Sequence, residues 1–148
     1  RLPPDHIAAN LKATTKEASI AELVDLLCAQ GAVKDREGAL RAVLDREHAM
    51  STGLGHGIAT PHGRTDAAEQ MVCALGVSRP GIDFGGMDNQ PVHLVMLFLV
   101  PQGQFQKHLH TLANIAKLLH RAEFRKALEE APDADAMLTI IRDQTGKK

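Results

Sequence analysis

Apolar residues recur along this chain with two different spacings, and the switches between them lay out its elements. Ile20, Leu23, Val24, Leu27 and Cys28 fall three and four apart, behind a capping-box pattern of Thr14 with Glu17 and ahead of Gly31, which predicts an amphipathic helix. Asp35 is placed to cap a second helix in which Leu40, Val43 and Leu44 face inward while Arg41, Asp45, Arg46 and Glu47 keep the remaining surface polar, ending near His48 to Ser51. From Ser51 to Gly63 glycines interrupt any regular period and predict a loop, with a short extended piece at Ile58 to Thr60. Met71 to Ser78 reads as a strand, turned by Arg79, Pro80 and Gly81 into the short apolar piece Ile82 to Phe84, and Gly85, Gly86, Asp88 and Asn89 form another loop. Val92 to Val100 is almost continuously apolar between Pro91 and Pro101, the pattern of a central strand covered on both faces. Helical spacing then returns: Leu109, Leu112, Ala113, Ala116 and Leu119 mark a helix from Phe105 to His120, Phe124 to Glu130 a fourth, and Ala136, Met137, Ile140 and Ile141 a last one opened by Pro132 and Asp133.

Helices on both sides of the strands in sequence predict an α/β fold, a layered domain with a central mixed β-sheet flanked by α-helices. No repeat, low-complexity tract or linker divides the order, so residues 1–148 read as a single domain. The chain opens on Arg1 rather than methionine, which suits a domain trimmed or excised from a longer polypeptide.

Composition changes this picture mainly by exclusion. Seventeen basic and eighteen acidic residues are dispersed along the chain, which argues against nucleic acid as a partner and against a polybasic membrane anchor. No apolar run is long enough to span a bilayer, and no signal or lipidation motif is apparent, so a cytoplasmic location without membrane insertion is expected. Cys28 and Cys73 each lie in an apolar stretch, as buried thiols do in a reducing compartment. Eight histidines are the more informative excess, since a neutral imidazole nitrogen is a nucleophile available near neutral pH.

The chemistry concentrates in Ser51-Thr52-Gly53-Leu54-Gly55-His56-Gly57-Ile58-Ala59-Thr60-Pro61-His62-Gly63-Arg64. This run is not a Walker loop, because Gly57 and Gly63 enclose five residues and Arg64 follows where Lys is required. Ile58 stands where the dinucleotide fingerprint needs its third glycine, and no serine occupies a nucleophile elbow. What remains is a histidine held directly behind a proline in a glycine-rich setting. Pro61 fixes its own φ and biases Thr60 to an extended backbone, so His62 is offered from a stiff platform. Gly53, Gly55, Gly57 and Gly63 let backbone N–H groups approach an anion and so suggest a phosphate-cradling loop. Positioning and charge stabilisation are what phosphoryl transfer chiefly needs. Arg64 reads equally as a charge that draws anions to the site and as a solvated loop residue.

Gly53 to Gly63, with Arg46-Glu47 before them and Arg46 sixteen positions ahead of His62, resembles the phosphorylation-site signature of the fructose/mannitol-type enzyme IIA domains of the bacterial sugar phosphotransferase system. Asp88-Asn89-Gln90-Pro91-Val92, the apolar strand to Pro101 and His108-Leu109-His110-Thr111-Leu112 resemble the same family, especially its nitrogen-regulatory branch. One departure is His56, where relatives often carry Asn or another polar residue. The resemblance implies a phosphotransferase component in which His62 accepts phosphate, His108 lies beside it and Arg46 holds the site's geometry and charge. It further implies a phosphoryl donor, the carrier HPr or a paralogue, and an acceptor cysteine on enzyme IIB, with no cofactor or metal. Leu54 is expected in a transient docking surface around His62. Two alternatives stay open: a regulatory phosphoprotein that uses the same histidine to control partner binding, and a metal-dependent hydrolase with zinc held among His56, His62, His108 and His110.

Overall fold

The computed structural model describes residues 6–86 and 88–145. Strand β1 (Ile7–Ala8) is followed by helices α1 (Lys16–Ala29) and α2 (Arg36–Ala49). Three short strands come next, β2 (Gly53–Gly55), β3 (Ile58–Ala59) and β4 (His62–Arg64), then the long strands β5 (Val72–Ile82) and β6 (Val92–Val100). Helices α3 (Phe105–Leu119), α4 (Ala122–Glu130) and α5 (Ala134–Thr145) complete the order. The sheet runs β1-β5-β6-β3-β2, with β4 also paired to β6. It is mixed, because β5 lies antiparallel to β6 whereas β3 and β4 lie parallel to it.

The expected central strand coincides with β6, Val92–Val100. Its alternate side chains feed two cores: Val95, Leu97 and Leu99 join Ile20, Leu23, Val24, Leu27 and Val43 of α1 and α2 on one face. Leu94, Met96 and Phe98 join Leu119, Phe124, Leu128 and Met137 of α3, α4 and α5 on the other. Each fully buried Leu, Ile or Val contributes about 1.5–3 kcal/mol relative to exposure, which is why an uninterrupted apolar run can occupy the middle of three layers.

Several local expectations shift. The cap of α1 is Thr15, whose hydroxyl accepts from Ala18 N, so Thr14 lies outside the cap and the reciprocal Glu17 bond of a capping box does not form. Asp35 caps α2 as expected, accepting from Gly38 N at 3.1 Å. The turn anticipated at Arg79 to Gly81 is a bulge inside one continuous β5, where the register with β6 shifts between Val77 and Ile82 and Gly81 takes φ of +90°. On α3 the inward stripe is rotated: Leu112, Ile115, Leu118 and Leu119 pack on the second core, while Leu109 is 43% exposed. The segment expected to be a loop from Ser51 to Gly63 is instead the β2–β3 hairpin followed by β4.

Candidate functional site

Pro61 divides what would be one strand into β3 and β4, both laid along the same edge of β6. Ile58 pairs with Leu94, and His62 with Phe98. Proline has no N–H for the ladder, but its carbonyl accepts from Phe98 N at 3.0 Å, so the strand line is kept through the break. Alternation within β4 then sorts its side chains. Gly63 faces α2 so closely that a Cβ there would lie 3.0 Å from Val43 N and 3.1 Å from Ala42. His62 and Arg64, two residues apart, both face the other side, toward α3. The entry to α3 is held nearby because Gln102 N donates to the Asp66 carboxylate at 3.0 Å.

His62 is half-buried. Its Nδ1 lies 3.0 Å from the Thr60 carbonyl oxygen. A carbonyl can only accept, so Nδ1 carries the hydrogen and Nε2 keeps the lone pair. The ring lies 6.3 Å from that of Phe105, with the planes inclined by 23°. Burial pushes the imidazole pKa below its ordinary value of 6.5; the bond to Thr60 and the Glu47 carboxylate act in the opposite direction, and the positive charges of Arg46 and Arg64 lower it further. The histidine is therefore neutral at neutral pH, with one nitrogen tethered and the other available as a nucleophile.

Arg46 sits in the last turn of α2, and its guanidinium donates to the Met50 carbonyl at 2.7 Å, just beyond the helix end. Glu47 departs most from the sequence expectation. Expected on the solvated face, it is 2% exposed. Its carboxylate accepts from Thr52 N at 2.9 Å and from Thr52 Oγ1 at 2.6 Å, and it pairs with Lys16 Nζ at 3.3 Å. It thus fastens the chain as it leaves α2 for β2 and joins both to the start of α1. A charge within a helix carries no mark of burial in a single sequence, and only its place beside Arg46 in the signature hinted at a role.

The four glycines divide between two tasks. Gly53 packs backbone to backbone against Gly86, and Gly63 against α2. Gly55 and Gly57 turn the hairpin with φ of +87° and +78°. The Gly57 carbonyl accepts from His93 N and Leu94 N, and even Leu94 is four residues along β6 from the partner of His62, or about 13 Å at strand rise. Gly63 alone of the four adjoins the imidazole in sequence, so the glycines do not form one continuous cradle around it.

His108 is half-buried on α3, one turn beyond Phe105 and on the same side of the helix. Among the described residues no hydrogen bond links it to His62, and the group that meets the imidazole from α3 is Phe105. Phe105 carried no signal in the sequence beyond its place at a helix start. Leu54 is half-buried against the second core rather than exposed, and among the described residues the exposed large apolar ones are Met50 and Leu109. The histidines weighed as a zinc set are not brought together: His56 sits at the hairpin turn with its ring edge-on to His120 at 5.8 Å, and His110 is exposed on α3. Among the described residues no three His, Cys, Asp or Glu side chains are grouped to hold a metal ion. Also among them, no helix is long and apolar enough to cross a membrane.

The chain as a whole, a mixed sheet between helices, has known counterparts. Residues 2–144 match the family described as phosphoenolpyruvate-dependent sugar phosphotransferase system, EIIA 2. The chain is 36% identical over 141 residues to the fructose-specific EIIA component of Haloferax volcanii, covering 95% of this chain and 92% of that one. It is 39% identical over 135 residues to the fructose-specific EIIABC component of Bacillus subtilis, covering 91% of this chain but 21% of that much longer protein. Among solved structures, the nitrogen regulatory protein IIA-Ntr from Neisseria meningitidis superposes with a TM-score of 0.82 at 29% identity, covering 95% of each chain. The chain belongs to the EIIA 2 family of the sugar phosphotransferase system, a phosphocarrier family that takes in fructose and mannitol EIIA components and the nitrogen-regulatory IIA proteins.

Proposed function

We propose that this protein is a phosphocarrier in which Nε2 of His62 takes a phosphoryl group from the phosphohistidine of HPr or a paralogue and passes it to a cysteine of an enzyme IIB, in the cytoplasm and in service of sugar uptake. The observation that carries this reading is the tether of Nδ1 to the Thr60 carbonyl, which leaves one nitrogen free on a neutral ring beside two arginines. In the forward step the Nε2 lone pair forms the new N–P bond as the donor's N–P bond breaks. Return of the electron pair to Nε2 in the second step restores the neutral imidazole as the cysteine thiolate takes the group. Arg46, fixed by Met50, offsets the negative charge, and His108, one turn beyond Phe105 on α3, is assigned to donate a hydrogen bond to a phosphoryl oxygen.

A regulatory role for the same phosphohistidine is the second reading, favoured by 31% identity to the nitrogen regulatory protein of Pseudomonas aeruginosa over 96% of this chain. Both readings are tested by incubating the protein with phosphoenolpyruvate, enzyme I and HPr, then measuring intact mass under non-acidic conditions. Wild type should gain one phosphoryl group and His62→Ala none. A wild type that stays unmodified with active donors, or a variant still modified, would overturn the assignment. Onward transfer to enzyme IIB then separates transport from regulation.

A further inference from the structure

We infer that Arg64 is a second, mobile phosphate ligand, which leaves the ring of Phe105 to pair with the phosphoryl group once it is on His62. This rests on the phosphocarrier reading above. The geometry begins with β4, whose alternation puts His62 and Arg64 on one face while Gly63 between them is pressed against α2. Phe105 spans the two: its ring lies 6.3 Å from the imidazole, and the Arg64 guanidinium carbon stands 4.0 Å over its centroid. Arg64 is exposed, and among the described residues it makes no ion pair and donates no hydrogen bond to a protein acceptor. Its planar fork of donors is therefore parked on an aromatic face rather than committed to a carboxylate or carbonyl.

Arg46 is placed differently. One of its nitrogens already holds the Met50 carbonyl, so it gives the site a fixed positive charge. Phosphorylation brings a charge of about −1.5 to −2 and three strong acceptor oxygens to His62. An exposed guanidinium resting on a half-buried ring is held more weakly than one in a bidentate, charge-assisted pair with phosphate. Moving from one to the other requires rotation of a solvent-exposed side chain on a strand whose backbone pairing with Val100 is unchanged. No bond to Arg64 forms or breaks in the transfer, and it stays protonated throughout. The lowering of the His62 pKa by Arg64 is in keeping with this proximity.

Two measurements on the full chain test this. The first compares the rate of phosphoryl acceptance from phospho-HPr for wild type, Arg64→Lys and Arg64→Gln. Gln should slow acceptance about tenfold, as expected for loss of one charge-assisted contact at a partly exposed site, and Lys should recover part of that loss. The second follows the Arg64 side-chain Nε–H resonance of ¹⁵N-labelled wild type, without HPr, before and after phosphorylation; it should shift in the phosphorylated protein and stay unmoved in His62→Ala treated identically. Equal rates for Gln and wild type would overturn the inference. So would slow transfer by Gln with an unmoved resonance, because Arg64 would then be acting on the donor protein. Failure of wild type to accept phosphate would instead strike the phosphocarrier reading, a distinct result.

Discussion

Replacing Glu47 tests whether a buried carboxylate organises the approach to His62. The side chain is 2% exposed and accepts from both donors of Thr52, at 2.9 and 2.6 Å, besides pairing with Lys16 at 3.3 Å. Glu47→Ala leaves the Thr52 N–H and hydroxyl without their acceptor in a buried place, and hydrogen bonds to a charged group are worth about 1.5–3 kcal/mol each. Removing one member of a buried ion pair typically costs about 3–5 kcal/mol. The Lys16 side chain retains 18% exposure and can turn to water, which pulls the expectation to the lower end, about 3 kcal/mol. At about 2–4 °C per kcal/mol for a chain of this size, the melting temperature should fall by about 6–12 °C. Glu47→Gln keeps the volume and one acceptor oxygen and should lose about 1–2 kcal/mol. Urea unfolding followed by circular dichroism at neutral pH, with m-values compared to confirm a common unfolded state, gives both numbers. An Ala variant within about 1 kcal/mol of wild type would refute the reasoning, since the Thr52 donors would then be satisfied without the carboxylate.

Two further outcomes follow from the same site. Gly63→Ala places a methyl 3.0–3.1 Å from the backbone of Val43 and Ala42, so it should cost about 1–3 kcal/mol in urea unfolding and slow phosphoryl acceptance by displacing β4; a variant of wild-type stability would show that α2 can yield. The His62 pKa is lowered on folding, so below 6.5 the unfolded chain takes up the proton first and stability contributed by this residue is full above that pH and declines as pH falls toward the folded value. Urea midpoints at about pH 7.5 and about pH 5.5 should therefore separate more for wild type than for His62→Gln, and equal separations would contradict the half-buried neutral imidazole.

The parts of the fold that were legible in the sequence are those whose physics is local or periodic. The run from Val92 to Val100 is bounded by prolines at both ends and covered on both faces, so composition alone delimits β6. Asp35 announces α2 because a cap acts within three residues. β1 and β4 are two and three residues long, too short to show a period, and they exist because β5 and β6 offer them backbone partners. The run from Ser51 to Gly63 reads as a loop for a related reason: its glycines serve close packing and a hairpin turn, and glycine carries no side chain to display alternation.

The candidate site divides along the same line. His62 stands out through Pro61 and Gly63, its immediate neighbours, at the end of a glycine-rich run. Phe105 joins it from beyond the C-terminal end of β6, where β4 pairs, a contact made by topology that no local pattern records. Glu47 reads as a surface charge until the chain beyond α2 folds back and sets Thr52 against it. For His108, proximity to His62 comes from family resemblance, and the structure adds its position on the inward side of α3 next to Phe105.

The central claim is that Nε2 of His62 is the phosphoryl acceptor because Nδ1 is held by Thr60. The most direct measurement is a long-range ¹H–¹⁵N correlation spectrum of the phosphorylated, ¹⁵N-labelled protein at mildly alkaline pH, which distinguishes the two imidazole nitrogens and resolves which histidine is modified. The account predicts a single phosphohistidine, at His62, with phosphorus on Nε2 and a protonated Nδ1 in a hydrogen bond. Phosphorus on Nδ1, or on any other histidine, would contradict it.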